Sequence, residues 1–275
     1  MASIGKIARR TFLVGAAAVA GGVAFGYWRY RAPHPNPLEP GEGAAVLTPW
    51  VIVDADGVTL ITPRADKGQG AVQVQAALLA EELDVDPAQV RTAFGPPAPV
   101  YYNSVVASEG MPVAATDDGV IARLLREGVS DAAAKFLGMQ VTGGSTTVPD
   151  AYEKLRRAGA VARETLKRAA AARTGTAVAE LRTQGGQVIL PDGTALPYAE
   201  LAAEAAEVEA PDFVALRDPS EWRILGKPVP RLDMAAKCTG TQEFGIDHRQ
   251  EGLLHATVRT HPGWGEGAAS IDSRE

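Results

Sequence analysis

Two glycine-rich loops, each directly ahead of a predicted helix, are the parts of the sequence best suited to bind a ligand. They are Gly68-Gln69-Gly70 and Gly143-Gly144-Ser145-Thr146. Free N–H groups and the positive end of a helix dipole make such loops natural sites for anions, above all phosphate. Missing Cβ atoms let a ligand lie against the backbone, and Gln69 offers amide donors and an acceptor. Neither loop matches a P-loop or a G-x-G-x-x-G fingerprint, so tight turns without any ligand remain an alternative explanation.

Other common kinds of catalytic site are not visible in the sequence. No Ser-His-Asp or Cys-His arrangement is present, and the four histidines lack metal-ligand spacing. The single Cys238 excludes an intrachain disulfide and an iron–sulfur cluster held by this chain alone. The pair Glu81-Glu82 is interpreted as a solubilising part of a helix surface. We therefore predict no catalytic and no metal-ligating residue.

The charge is distributed unevenly along the 275 residues. Residues 1–31 contain five Lys or Arg side chains and no acid, and the net charge of the whole chain is −6, so the remainder carries −11. An acidic body argues against nucleic-acid binding, which needs basic patches to replace counterions.

The N-terminus predicts export. A basic start is followed by an uncharged run from Thr11 to Trp28, as in an export signal. Arg9-Arg10 with Thr11-Phe12-Leu13 resembles a twin-arginine signal, which carries folded proteins to the periplasm. No clean A-x-A cleavage site follows, and Trp28 and Tyr30 with two flanking arginines could instead hold an uncleaved helix at a membrane interface. Residues 1–31 are predicted as this signal or anchor, and residues 32–44 as a proline-rich linker.

The periodicity beyond the linker predicts an α+β fold of mixed strands and helices. Helix Ala71–Leu83 is predicted to be amphipathic, with Val72, Ala76, Leu79 and Leu83 on its buried face. A long helix is predicted to open with a capping box of Thr147 and Asp150 and to end at Gly175. The other predicted elements are a hairpin of strands Trp50–Val53 and Val58–Ile61, a strand near Val90–Phe94, a hairpin at Gln187–Leu190, a helix Tyr198–Val208 and a strand Leu253–Thr260.

Three ordered segments of the sequence resemble one enzyme family. They are DKGQGAVQVQAALLAEELDVDPAQV, TGGSTTVPDAYEKLRRAGAVARETLKRAAA, and the stretch that begins ILGKPVPRLDMAAKCTGTQEFG. Together they are similar to the molybdopterin-binding large subunit of the xanthine dehydrogenase/aldehyde oxidase family, and most of all to the isoquinoline 1-oxidoreductase beta-subunit type. The resemblance covers most of residues 45–270.

The resemblance implies a cofactor and a division into domains. Gly68, Gln69 and Gly70 would lie against the molybdenum cofactor, molybdopterin in its cytosine dinucleotide form, and Gly143 to Thr146 would form a second segment near it. Residues 45–212 would be a molybdopterin-binding segment, and residues 213–275 would begin an a/b hammerhead domain. Asp66-Lys67 stands where the family commonly has Glu-Met, and we expect Lys67 to face water.

The resemblance also implies the reaction and the partners. A complete family member would oxidise an N-heterocyclic aromatic or an aldehyde with oxygen from water, and a small partner subunit with 2Fe-2S clusters would carry the electrons away. The glutamate that acts as base belongs to a later part of such large subunits, so this chain alone is expected to be truncated and inactive. Two alternatives stay open: a non-catalytic remnant, and an envelope-anchored binding module for an anionic ligand.

Overall fold

The expected α+β class is confirmed by the structure, a computed structural model that describes residues 20–114, 116–267 and 269–270. The chain divides into two compact units, Met1–Leu232 and Asp233–Glu275. Arg9 and Arg10 lie outside the described residues. In the described part of the chain, no helix is both long and apolar enough to cross a membrane.

The first unit begins with a helix and a small sheet. Helix α1 covers residues 20–31. Strands β1 (Ala45–Thr48), β2 (Val51–Asp54) and β3 (Gly57–Ile61) pair antiparallel, and β4 (Arg91–Ala93) lies parallel to β3. The predicted hairpin is therefore present, with Asp54 opposite Gly57 at its turn.

Among the described residues, six further α-helices and a second sheet belong to this unit. The bounds of the first predicted helix, Ala71–Leu83, are confirmed, as is the end of the long helix at Gly175, which takes a left-handed φ of 73°. The elements in chain order are α2 (Ala71–Leu83), α3 (Ser104–Ser108), α4 (Val120–Arg123), a π turn (Leu124–Val129), α5 (Ser130–Leu137), α6 (Thr147–Thr174), β5 (Arg182–Gln184), β6 (Gln187–Ile189), β7 (Ala195–Pro197) and α7 (Ala202–Glu207).

Helices α2 and α6 form the centre of the core and touch at the backbone. A Cβ built on Gly159 of α6 would stand 2.5 Å from the carbonyl oxygen of Leu79 in α2. Gly159 is therefore required by packing, because any side chain would push the helices apart. The buried side chains around the contact are mainly alanine and leucine, among them Ala76, Leu79, Leu83, Leu155, Ala158, Ala162 and Leu166.

The interpretation of Glu81-Glu82 as surface residues is wrong, and α2 is buried on nearly every side. Glu82 is fully buried, and its carboxylate receives Arg156 and Arg163 of α6 and the backbone N–H of Arg217. Glu81 accepts the backbone N–H groups of residues 223–225. The partners of both carboxylates lie far away in sequence, so the local pattern gave no sign that they are buried.

The second unit contains helix α8 (Met234–Thr239) and no strand among its described residues. The predicted strand Leu253–Thr260 is therefore wrong: a strand exists only where a neighbour accepts its ladder of hydrogen bonds, and the described residues supply none here. None of the described residues after Leu232 is buried.

Candidate functional site

One cavity of about 540 Å³ brings the two glycine-rich loops together. Its volume lies within the range of about 300–1,000 Å³ that is usual for small-molecule sites. Of the predicted site residues, Gln69, Gly70, Gly143 and Ser145 line it. The remaining lining comes from the same two segments: Lys67, Ala71, Val74, Thr142, Thr147 and Val148.

The first loop is organised around the carboxylate of Asp66. Its Oδ1 accepts the N–H of Gly68 at 2.7 Å and that of Gly70 at 3.4 Å, and its Oδ2 accepts the N–H of Val72 at 3.0 Å. Partial burial alone would raise the pKa of Asp66, but these three donors and the Arg231 guanidinium outweigh it and hold the pKa below the usual aspartate range. The expectation that the N–H groups of this loop are open to an anion is therefore wrong at these three positions.

Gln69 is also engaged within the loop. Its Nε2 donates to the carbonyl of Ala65 at 2.8 Å, and its Oε1 accepts the N–H of Lys67 at 2.6 Å. Gly68 and Gly70 have φ values of 103° and 87°, a left-handed conformation that side chains rarely adopt. Lys67 is exposed, as expected, and it lines the cavity.

The second loop turns sharply before α6. Gly144 and Ser145 have φ values of 59° and 56°, and the conformation is uncommon for a serine. Thr146 points inward: its Oγ1 donates to the Gly143 carbonyl and accepts Nδ2 of Asn103. Thr146 therefore holds the loop and does not line the cavity.

The predicted capping box of Thr147 and Asp150 is wrong. Thr146 is the residue that precedes the first turn of α6, and Asp150 is buried, with its carboxylate 2.7 Å from Nη2 of Arg64 and 2.6 Å from Nζ of Lys154. The ammonium group of Lys154 also lies over the ring of Tyr102. Burial lowers the pKa of Lys154 more than Asp150 raises it.

Gly143 leaves part of the cavity wall as bare backbone. Its φ lies outside the left-handed region, and a Cβ built there meets nothing within 4 Å. Neither backbone conformation nor packing therefore requires glycine at this position, unlike Gly70 or Gly159. Open space over a backbone that lines a cavity is what a flat ligand needs in order to approach closely.

Sequence reasoning found the two loops but missed the residues that hold them. Asp66 and Arg64 belong to no motif, and Asp150 was assigned to a capping box. The partners of all three become neighbours only in the folded chain. The one available signal was the position of Asp66, four residues ahead of a glycine that opens a helix.

Comparison with known proteins gives consistent results. Over 97% of its length the chain is 28% identical to the beta subunit of isoquinoline 1-oxidoreductase from Brevundimonas diminuta. Over 98% it is 27% identical to a membrane-bound aldehyde dehydrogenase (pyrroloquinoline-quinone) of Gluconacetobacter polyoxogenes. Over 44% it is 33% identical to the B subunit of nicotinate dehydrogenase from Pseudomonas putida. The chain is a homologue of these oxidoreductases. The resemblance to the isoquinoline 1-oxidoreductase beta type is thereby confirmed.

The matches cover only part of each relative. The chain spans 35% of the Brevundimonas protein, 31% of the Gluconacetobacter protein and 10% of the Pseudomonas protein. No protein-family model matches the chain. Among solved structures, quinoline 2-oxidoreductase from Pseudomonas putida 86 matches 55% of this chain and 15% of its own, at 19% identity and a TM-score of 0.30.

Proposed function

We propose that this chain is the N-terminal, cofactor-contacting part of the large subunit of an exported molybdenum hydroxylase. The observation that carries the proposal is the shared cavity, to which two loops about seventy residues apart contribute Gln69, Gly70, Gly143 and Ser145. The homology to oxidoreductases whose names specify isoquinoline, nicotinate and aldehyde supports a substrate that is an N-heterocyclic aromatic or an aldehyde.

The residues around the cavity fit a pterin cofactor. The bare backbone at Gly143 leaves room for a flat ring, and Ser145 and Thr147 bring hydroxyl groups that can donate or accept hydrogen bonds. Lys67 supplies a positive charge for an anionic group. When bound, molybdopterin supplies the redox chemistry; the task of these residues is to bind and orient it. The cytosine dinucleotide form is part of the proposal.

The proposal includes partners. A small subunit with 2Fe-2S clusters would accept the electrons, and two of the relatives are themselves named as subunits. Further large-subunit segments would supply the catalytic base, because the chain spans about a third of its first two relatives. Residues 213–275 would belong to an a/b hammerhead domain completed by those segments.

Export and membrane attachment are also proposed. Helix α1 is exposed on nearly all sides although it carries Val23, Phe25 and Trp28. A helix that is apolar all round is stable when lipid or protein covers it. Its end is fixed to α5, where the hydroxyl of Tyr30 donates to Oδ2 of Asp131 at 2.7 Å.

The cofactor content of the purified protein tests the proposed function. The protein is produced in a host that makes the molybdenum cofactor, and molybdenum, pterin and pyrroloquinoline quinone are each quantified. We expect molybdenum and pterin in equal amounts. Pyrroloquinoline quinone without molybdenum would show that the chain instead binds the cofactor named for the Gluconacetobacter relative. A protein with none of the three would contradict the proposal.

A pair of glycine variants then tests the position of the cofactor. Gly143→Ala leaves the protein structure undisturbed, so we expect normal folding but molybdenum content reduced severalfold. Gly41→Ala is the matched control, because Gly41 also has an ordinary φ and open space but lies away from the cavity. Gly70→Val should abolish loading, although strain at its φ of 87° contributes to that loss.

A further inference from the structure

The carboxylate of Asp66 occupies the N-terminus of α2. The donors of Gly68, Gly70 and Val72 converge on the two oxygens of Asp66, at 2.7, 3.4 and 3.0 Å. Such converging donors at the start of a thirteen-residue helix would otherwise attract phosphate. The carboxylate therefore joins the loop to the first turn of the helix and engages these donors itself.

The rest of the loop is also held by hydrogen bonds to other residues of the protein. The carboxamide of Gln69 spans Ala65 and Lys67, and Nη1 of Arg231 donates to the carbonyl of Gly68 at 2.9 Å. The N–H of Ala65 donates to Oγ1 of Thr142, which joins this loop to the segment before the second one. The loop is therefore shaped before any ligand arrives, and it has no need of a ligand phosphate to order it.

We propose that Asp66 is a positioning residue that closes the α2 N-terminus to phosphate and fixes the face that the Gly-Gln-Gly loop presents to the cavity. The ligand then meets this loop through an uncharged part, and its anionic group lies toward Lys67, the one charged side chain among the described residues that line the cavity. The inference rests on the proposed function only for the identity of the ligand.

The test is a titration of the full chain with inorganic phosphate, followed by the amide NMR signals of Gly68, Gly70 and Val72. In wild type we expect no saturable shift. Asp66→Ala frees the three donors, so the same three amide signals should shift saturably with phosphate. Asp66→Asn, which keeps an acceptor oxygen but loses the charge, should lie between them, and Asp66→Glu should restore the wild-type response.

Asp192→Ala is the matched control. Asp192 also accepts a backbone N–H two residues on, that of Thr194, but it lies in an exposed turn between β6 and β7 and not at a helix start. We expect no phosphate binding in this variant. Three outcomes would each overturn the proposal: saturable shifts in wild type, equal responses of Asp66→Ala and Asp192→Ala, or loss of the loop signals in both Asp66→Ala and Asp66→Asn. Because the titration uses protein without cofactor, its failure is distinguishable from a failure of molybdenum loading.

Discussion

Arg64 and Asp150 form a buried ion pair that joins the two loops of the cavity, with Nη2 and Oδ2 2.7 Å apart and each side chain 3% exposed. Arg64 precedes the first loop, and Asp150 lies in the first turn of α6, directly after the second loop. Arg64 also donates to the carbonyls of Tyr101 and Tyr102. The pair therefore fixes the separation of two segments that sequence alone leaves unconnected.

Breaking this pair should destabilise the protein strongly. Arg64→Met leaves the Asp150 carboxylate buried with Lys154 as its remaining charged partner and with the hydrogen bonds from Ser104. Removal of one partner of a buried pair costs about 3–5 kcal/mol. The free energy of unfolding is measured with urea. The control is Arg91→Met. The Arg91 guanidinium and its partner Asp54 are both partly exposed, so loss of this ion pair should cost less than about 1 kcal/mol. Equal effects of the two substitutions would refute the stabilising role of the buried pair.

The same pair predicts a loss of stability in acid. Burial alone would raise the pKa of Asp150, but Lys154 and Arg64 outweigh it and hold the pKa below the usual range. A carboxylate whose pKa is lowered by folding stabilises the folded state at pH values above the ordinary aspartate pKa of about 3.9. This stabilisation is lost as the pH falls through the lowered pKa. The difference in unfolding free energy between wild type and Asp150→Asn should therefore be constant near neutrality and shrink below about pH 4. A difference that grows in acid would contradict the assignment.

Gly159→Ala should separate helices α2 and α6. The added methyl would stand 2.5 Å from the Leu79 carbonyl oxygen, a distance that forces the backbone to move. Overpacking of this kind costs about 1–3 kcal/mol, which equals or exceeds the roughly 1 kcal/mol that alanine gains over glycine in a helix. Gly22→Ala in α1 is the control, because a Cβ there meets nothing within 4 Å. Stabilisation by both substitutions in a thermal melt would show that the helices can absorb the methyl group.

The export prediction concerns residues outside the described part of the chain. Replacing Arg9 and Arg10 by lysine keeps the charge but should block transport of a folded reporter fused after residue 45, since the receptor reads the arginine pair and not the bulk charge. Transport is measured as reporter activity in the periplasmic fraction. Undiminished delivery of the lysine variant would rule out the twin-arginine route.

Hydrogen exchange should divide the C-terminal third of the chain at Leu232. The amides of Arg223, Ile224 and Leu225 donate to the buried Glu81 carboxylate, so we expect them to be protected. Residues 233–260 contain no buried side chain and should exchange much faster than α2 and α6. Glu81→Gln should remove the protection at residues 223–225 without altering exchange at 233–260. Strong, uniform protection across 233–260 would contradict this division.

Sequence reasoning succeeded where the deciding interactions are local. The bounds of α2, the hairpin at Asp54–Gly57 and the end of α6 at Gly175 follow from turn residues and periodicity. It failed where a residue distant in sequence determines the position of a side chain. Glu82 is buried because arginines of α6 neutralise its charge and the N–H of Arg217 donates to it. Asp150 pairs with Arg64 and does not cap its own helix. The predicted strand Leu253–Thr260 failed for the same reason, since a strand needs a neighbour that its own sequence does not reveal.

A small rotation of helices α2 and α6 about the contact between Gly159 and Leu79 would change the width of the cavity. At 1.5 Å rise per residue, Gly159 lies roughly 18 Å from the start of α6, and Leu79 roughly 12 Å from the start of α2. Both helices begin at the loops that line the cavity. A rotation of about 5° at the pivot would therefore shift the start of α6 by roughly 1.5 Å, a displacement large enough to change the fit of a ligand. Substitutions in the alanine-rich core can thus widen or narrow the cavity in related chains. They would do so without changing any residue that contacts the ligand.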